Sequence, residues 1–523
     1  AAAITVRPTP TSTGLKDSSA AVVAGKVTLN DSTPRTPSST GDASLRDSEV
    51  LLLSLMNNDS SELPALASLE ALISDLPPDS KLPSYRSLQQ RYRLSPATVQ
   101  RMLAELARRG LLVTRPGSGT FTAPRRPVRH PADLSWQTLA LGTRSGLGPD
   151  LERLVDPPPP DSIGLISGFP DERLQPVGLL AAATARAARR PHAWSRLPSS
   201  GLPELRGYLA AEAGGGQLTE QNVLIASGGQ AALSAVFRHL CAPGDPLIVE
   251  SPTYVGALAA ARAAGLVLVP VPGDADGVLP DALADAFART GSRLAYLQPR
   301  YANPHGSVLA PDRREPVLLA AARAGAFLLE DDWMRDFDLD APSPLPLISQ
   351  DDDGHVIYLR SVSKPIAAGL RVSGLAARGP ILARLRRGRI SDDLFVAPML
   401  QQIALDVLTA PGWPRHLAAA RRRLRERRDT LVGAIAEQLP ACRLDLIPGG
   451  GMHLWLRLPD GYVDADVTEA AAARGVAINP GRASFPAEPP APYLRLSYAG
   501  EEPAALRQAV GILAEVIGPG QSG

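Results

Sequence analysis

Of the chain's 54 basic residues only four are lysines, at positions 16, 26, 81 and 364, so Lys364 is the sole lysine after residue 81. Arginine cannot replace it in imine chemistry, because a guanidinium stays protonated. A desolvated lysine amine can lose its proton and attack a carbonyl. A Schiff base with an aldehyde cofactor is the natural use of such a residue. Lys364 lies in YLRSVSKPIAAGLR, after a strand-like run and beside small hydroxyls.

Its companions supply what pyridoxal 5'-phosphate requires. Ser361, Ser363 and Arg371 lie close in sequence, and Ser227, Gly228 and Gly229 follow another strand-like run. Small residues at a helix start let backbone N–H groups meet phosphate oxygens, although such a turn taken alone is commonly only a turn. Asp331, closing AFLLED, can pair with a ring nitrogen and keep it protonated, which makes the ring an electron sink; taken alone, such an Asp is more often a helix cap. Tyr254 in ESPTYVG can stack on the ring or fill a core. Asn303 in QPRYANPHG can donate to a ring hydroxyl or make a turn. Arg495 in YLRLSYAG can hold a substrate or effector carboxylate through two parallel hydrogen bonds, or sit in solvent.

Order and spacing carry more than any one motif. S-G-G-Q, S-P-T-Y, N-P-x-G, E-D-D, S-x-S-K with G-L-R, and a late Arg occur in that sequence, and residues 160–515 resemble the fold-type-I pyridoxal-phosphate aminotransferases. The resemblance implies Lys364 as imine lysine, Asp331 as pyridinium partner, Asn303 at the ring oxygen and Tyr254 as stacking residue. It also implies Ser227, Gly228, Gly229, Ser361, Ser363 and Arg371 around the phosphate, with Arg495 on a carboxylate. One position departs: where relatives usually place a Tyr soon after the first Asp, this chain has Trp333 and Met334. An indole cannot ionise as a phenol does, which argues against efficient transamination. A partner-subunit Tyr is also not evident; Trp194 is the aromatic nearest to its usual place.

These residues need elements to hold them. Strand-like runs at Val223–Ala226, Leu247–Glu250, Val267–Pro270, Leu294–Leu297, Phe327–Glu330 and Val356–Leu359 alternate with Ala/Leu/Arg-rich helical segments. That alternation predicts an α/β fold around a mostly parallel sheet, followed by a smaller C-terminal α+β piece. The expected division is a disordered tail over 1–62, a DNA-binding domain over 63–123, a Pro-rich linker over 124–160 and a cofactor domain over 161–518. A short helix over Leu45–Met56 is weakly signalled.

Residues 63–123 read as three helices and a wing. Leu66, Leu69, Ile73 and Leu76 share one helical face, and Leu88 and Tyr92 another. Ser95 and Pro96 open a third helix whose stripe is Val99, Met102, Leu103 and Leu106. Gly110 ends it, and strands at Leu111–Thr114 and Thr120–Ala123 flank a glycine turn. Ten Lys/Arg against four Asp/Glu give residues 63–126 a charge of +6 in a chain of net charge +1. Local positive charge attracts the phosphate backbone of double-stranded DNA, and exposed Ala97, Thr98, Gln100 and Arg101 suit a major groove. Ser84, Arg86, Ser95 and Gly117 complete the expected contacts. A basic helix is often merely solvated, but LPSYRSLQQRYRLSPATVQRMLAELARRGLLVTRPGSGTF resembles the GntR-family winged helix-turn-helix throughout. Pro96 stands where that family often has Arg, so base preference does not carry over.

The two halves together resemble the MocR family of transcription regulators. The resemblance implies a head-to-tail homodimer whose aminotransferase-like domain senses an amino compound or pyridoxal phosphate; a working aminotransferase with a DNA-binding appendage is the alternative. The sequence lacks 18 consecutive apolar residues and a secretory leader pattern, which predicts a soluble chain with no membrane partner. Cys241 and Cys442 are the only cysteines, both expected as buried small hydrophobes, which suits a reducing cytoplasm and excludes a disulfide framework.

Overall fold

Leu69, Ile73, Leu88, Val99, Met102 and Leu106 recur at helical spacings, and in the computed structural model they close on one another. The structure describes residues 64–124, 133–141, 156–214 and 217–518, in two units that divide at Gln137. In the first, α1 (64–75), α2 (Tyr85–Tyr92) and α3 (Pro96–Arg108) precede β1 (Leu112–Arg115) and β2 (Gly119–Thr122). The Ser95 hydroxyl accepts the Thr98 N–H at 3.2 Å and starts α3. Gly110, at φ +74°, lets the Leu111 N–H return to the Leu106 carbonyl and ends it. Because Leu111 is spent on that closure, the first wing strand begins one residue later than the pattern suggests. The strands pair antiparallel, Leu112 opposite Thr122 and Arg115 opposite Gly119.

The second unit begins its sheets at β3 (Ile163–Gly164) and continues with β4 (Val223–Ala226), β5 (Pro246–Ser251), β6 (Val267–Asp274), β7 (Gly277–Val278), β8 (Leu294–Leu297), β9 (Phe327–Asp332), β10 (Val356–Ser361) and β11 (Ser373–Ala376). Eight of these form one sheet, in the order β4-β11-β10-β9-β8-β5-β6-β7. β11 runs antiparallel to both neighbours and β7 to β6; the other pairs are parallel. Alternation sorts its side chains: Ile225, Ile248, Leu328 and Tyr358 enter one core, Leu224, Leu247, Leu329 and Leu359 the other. Burial on both faces explains why these strands read as unbroken apolar runs.

The smaller piece holds β12 (Arg443–Leu444), β13 (His453–Arg457), β14 (Val476–Ala477), β15 (Asn479–Pro480) and β16 (Tyr493–Ser497). Four of them form an antiparallel sheet ordered β12-β13-β16-β15, and its core is shared with helices Trp413–Gln438, Asp464–Ala472 and Pro503–Ile517. β14 pairs with β3, so the segment entering the unit is tied to its C-terminal piece.

Two expectations need amendment. The segment expected to be a bare linker contains a helix, Ser135–Leu141, whose first turn is closed by Asp133 accepting the Ser135 N–H at 2.9 Å. Both cysteines are partly rather than fully buried. The expected tail and its Leu45–Met56 helix lie outside the described residues.

Candidate functional site

Strand ends position most of the expected cofactor residues. Ser227 and Gly228 follow β4, Tyr254 follows β5, Asn303 follows β8, Asp331 lies near the end of β9, and Lys364 follows β10 in the short helix Ser363–Ile366. The carboxyl edge of a parallel sheet is where such folds bind ligands.

The Lys364 amine donates to the Gly168 carbonyl at 2.5 Å and lies 3.7 Å from the Phe169 ring centroid and 5.7 Å from that of Trp333. Burial, then the nearby Arg495 cation, brings its pKa down to about 7, although Asp331 pulls the other way. Asp331 is buried; its Oδ2 accepts from the Tyr296 hydroxyl at 2.8 Å and the Gln298 amide at 3.2 Å. Burial raises that carboxyl to about 6 against those two hydrogen bonds. Arg495, on β16, donates to the Ile166 carbonyl at 2.9 Å and to Asn303 Oδ1 at 3.4 Å. Desolvation lowers its pKa to about 10, and its buried Nε has no hydrogen-bond partner among the described residues.

The phosphate-end residues divide. Gly228, at φ +88°, precedes helix Gly229–Leu240, and a Cβ there would come within 2.6 Å of the Arg371 guanidinium. This glycine therefore permits a close approach of backbone to cation. Ser227 instead donates to Asp393 Oδ2 at 2.7 Å. The Ser363 hydroxyl is tied to the backbone of Val372, accepting its N–H at 3.2 Å, so it braces the lysine's loop. Ser361 is buried at the end of β10, opposite Ser373. The Tyr254 hydroxyl donates to Gln230 Oε1 at 3.2 Å, and burial holds its pKa up at about 12.

The sequence reading missed Tyr296, Gln298, Phe169 and His453. His453, buried on β13, stacks on Trp333 at 5.4 Å, and burial keeps its imidazole neutral, well below the usual pKa. The Trp333 indole N–H donates to the Tyr301 carbonyl at 3.1 Å. The one donor at this position is therefore spent on backbone.

In the N-terminal unit, Ser84 and Ser95 are the N-caps of α2 and α3. Arg86, Ala97, Gln100 and Arg101 are exposed, and Gly117 turns the wing at φ +75°. Thr98 does not join them. It is buried one turn before Met102 on the core face, with its hydroxyl 2.8 Å from that of Ser95. Arg108 and Arg109 pair with Glu105, Arg109 also with Glu70, and Arg115 with Asp79.

The model of the family Aminotransferase class I and II matches residues 160–513. The chain belongs to that family. Within this aminotransferase-family chain, residues 65–122 match the model of bacterial regulatory proteins, gntR family. The chain is 31% identical to the 2-aminoadipate transaminase of Thermus thermophilus, over 65% of its own length and 86% of the relative's. It is 28% identical to a probable rhizopine catabolism regulatory protein, MocR, of Rhizobium meliloti, over 85% and 90% of the two chains. Among solved structures, an alpha-aminoadipate aminotransferase of Thermus thermophilus, complexed with N-(5'-phosphopyridoxyl)-L-leucine, superposes with a TM-score of 0.67 at 29% identity. That match covers 73% of this chain and 98% of the other. A gntR-type winged helix ahead of an aminotransferase domain is the organisation of a MocR-type regulator.

Proposed function

We propose that this aminotransferase-family chain is a DNA-binding transcriptional regulator that holds pyridoxal 5'-phosphate on Lys364 and responds to an amino compound or to pyridoxal phosphate itself. One observation carries the reading: the amine of Lys364, the sole lysine after residue 81, is buried beside Arg495, Asp331 and Arg371 on a chain that also bears a winged helix. Domains over 63–123 and 161–518 would do the two jobs, with 1–62 as a tail and 124–160 between them.

The residues fit a phosphorylated aldehyde. The Thr253 hydroxyl and Arg495 Nε are buried without hydrogen-bond partners among the described residues, and the missing Cβ of Gly228 lets backbone lie against the Arg371 guanidinium, which a side chain would meet at 2.6 Å. Gly228, Gly229 and Arg371 would hold the phosphate, Asp331 the ring nitrogen, Asn303 the ring oxygen and Tyr254 the ring face. Ser227, Ser361 and Ser363 would support the loops at the phosphate end. When bound, the cofactor supplies an aldehyde that condenses with an amine and a protonated ring that withdraws electrons. Lys364, deprotonated at little cost near pH 7, provides the amine; Asp331 retains the ring proton; Arg495 orients an effector carboxylate.

Ser84, Arg86, Ser95, Ala97, Gln100, Arg101 and Gly117 line the proposed DNA-facing side. Coupling requires the effector to favour one of two arrangements of a head-to-tail homodimer, changing the grip on DNA. A cytoplasmic setting suits this work, and no helix among the described residues is long and apolar enough to cross a membrane.

A second reading, a working aminotransferase with a DNA-binding appendage, is favoured by the retention of Lys364, Asp331, Asn303 and Arg495 together. Trp333 argues for the regulator, since its only N–H is taken by Tyr301.

The test pairs two measurements on the full chain. Borohydride treatment of the protein with pyridoxal phosphate is expected to leave a pyridoxyl adduct on Lys364 in mass spectrometry. Binding to its own upstream DNA is expected to weaken with salt and to change with the cofactor. No adduct would remove the cofactor from the reading; no DNA binding at low salt would remove the regulator; steady turnover of an amino acid with a keto acid would support the second reading.

A further inference from the structure

Gln298 stands at a junction that none of the expected site residues occupies. It directly follows β8, is 2% exposed, and uses its backbone and both ends of its side chain. Its backbone N–H donates to Glu250 Oε2 at 2.7 Å, its amide nitrogen donates to Asp331 Oδ2 at 3.2 Å, and its amide oxygen accepts the Asn303 N–H at 3.0 Å. One side chain thus ties the residue proposed for the ring nitrogen to the residue proposed for the ring oxygen. The Tyr296 hydroxyl reaches the same Oδ2 at 2.8 Å, so two donors fix one carboxylate oxygen.

We infer that Gln298 is a positioning residue for the cofactor ring, setting the orientation and the ionisation of Asp331 while it holds Asn303 in register. The inference rests on the cofactor reading above. Its chemistry is that of a donor reserved for the charged form of a buried carboxyl: a hydrogen bond to a carboxylate favours ionisation, and burial opposes it. The groups facing Asp331 are Tyr296, Tyr254, Glu250, Asp332 and Lys364. Lys364 favours the carboxylate, whereas Glu250 and Asp332, as acids, disfavour it. Gln298 is a neutral member of this set, and it cannot compensate by changing its own charge. Removing its amide leaves Asp331 with one donor, a weaker hold on the ring proton, and an Asn303 N–H without its acceptor.

The experiment compares wild type with Gln298→Met, similar in length but without a strong donor or acceptor. Wild-type protein and the variant are both expected to give the borohydride-trapped adduct on Lys364. The variant is expected to bind pyridoxal phosphate about tenfold more weakly, and the pH midpoint of its visible absorption band should move up by about one unit. A purely structural role would lower thermal stability and leave that midpoint in place, so an unchanged midpoint overturns the inference whatever the affinity. If neither wild type nor variant forms the adduct, the cofactor reading fails and takes this one with it. If wild type forms it and the midpoint stays fixed, only the role of Gln298 fails. Should Gln298→Met be insoluble, a crystal structure of the wild-type holoprotein decides: a Gln298 amide turned away from Asp331 overturns the inference, and one within hydrogen-bond distance of both Asp331 and the Asn303 N–H supports it.

Discussion

Burying an amine costs free energy for as long as it must remain charged, and Lys364 meets that cost beside a second cation, Arg495. Its pKa falls from the ordinary 10.5 to about 7. The unfolded chain therefore binds more protons than the folded one between those values, and stability rises with pH across that window. Below pH 7 the penalty is felt in full; towards pH 10.5 it disappears. In the cofactor-free protein, Lys364→Met is expected to be more stable than the parent by about 2–4 kcal/mol near pH 7, with the difference closing by about pH 10.5. Urea melts at several pH values check this, and parallel stability curves would show that the amine is not desolvated. Asp331 has the reverse dependence: its pKa is raised to about 6, so the stability it contributes is complete below 3.8 and lost as pH rises through 6. Lys364 was legible in the sequence because arginine had replaced lysine almost everywhere else, leaving a chemical reason as the simplest one for its survival. Tyr296, Gln298 and His453 were not legible. Each sits in or beside an apolar strand, where alternation reports burial and says nothing of which carboxylate or ring a polar atom will reach.

At the scale of elements, local signals succeeded where the chain itself closes the interaction. Val223–Ala226 and Leu294–Leu297 were found with their observed bounds because both are apolar runs buried on two faces. β11 was missed: Ser373–Ala376 is a four-residue segment with a glycine, and only its distant partners β4 and β10 make it a strand. Thr98 shows the same limit within a helix. Its polarity suggested an exposed DNA contact, but it lies one turn from Met102 on the buried face and its hydroxyl is satisfied by Ser95. Cap and contact can therefore be separated experimentally. Ser95→Ala is expected to cost the N-terminal unit about 1 kcal/mol, because it removes an N-cap and orphans the Thr98 hydroxyl. Gln100→Ala, on the exposed face, should leave stability within about 0.5 kcal/mol of the parent and weaken DNA binding. Thermal melts and DNA titrations on the two variants would reverse this assignment if Gln100→Ala were the destabilised one.

The distribution of charge over the whole molecule decides how it can meet nucleic acid. Residues 63–126 carry +6 in a chain of net charge +1, leaving −5 for the remainder, so the chain's surplus positive charge lies in this region. Within that region Arg108, Arg109 and Arg115 are held by Glu105, Glu70 and Asp79. The other described basic residues, Lys81, Arg86, Arg91, Arg93 and Arg101, are all exposed. Counterion release scales with the phosphates neutralised at about 0.9 per contact. If two to five of these residues touch phosphate, the slope of log affinity against log salt is about −2 to −4.5 per N-terminal unit, a loss of roughly 15- to 500-fold between 50 and 200 mM salt. Arg86→Gln and Arg93→Gln should each lower that slope by up to about 1 in magnitude, whereas Arg108→Gln should leave it nearly unchanged. Fluorescence anisotropy with a labelled upstream fragment across that salt range measures all three. A flat salt dependence, or a larger effect from Arg108→Gln than from Arg86→Gln, would move the DNA-binding face away from the side of the unit that bears Arg86 and Arg93.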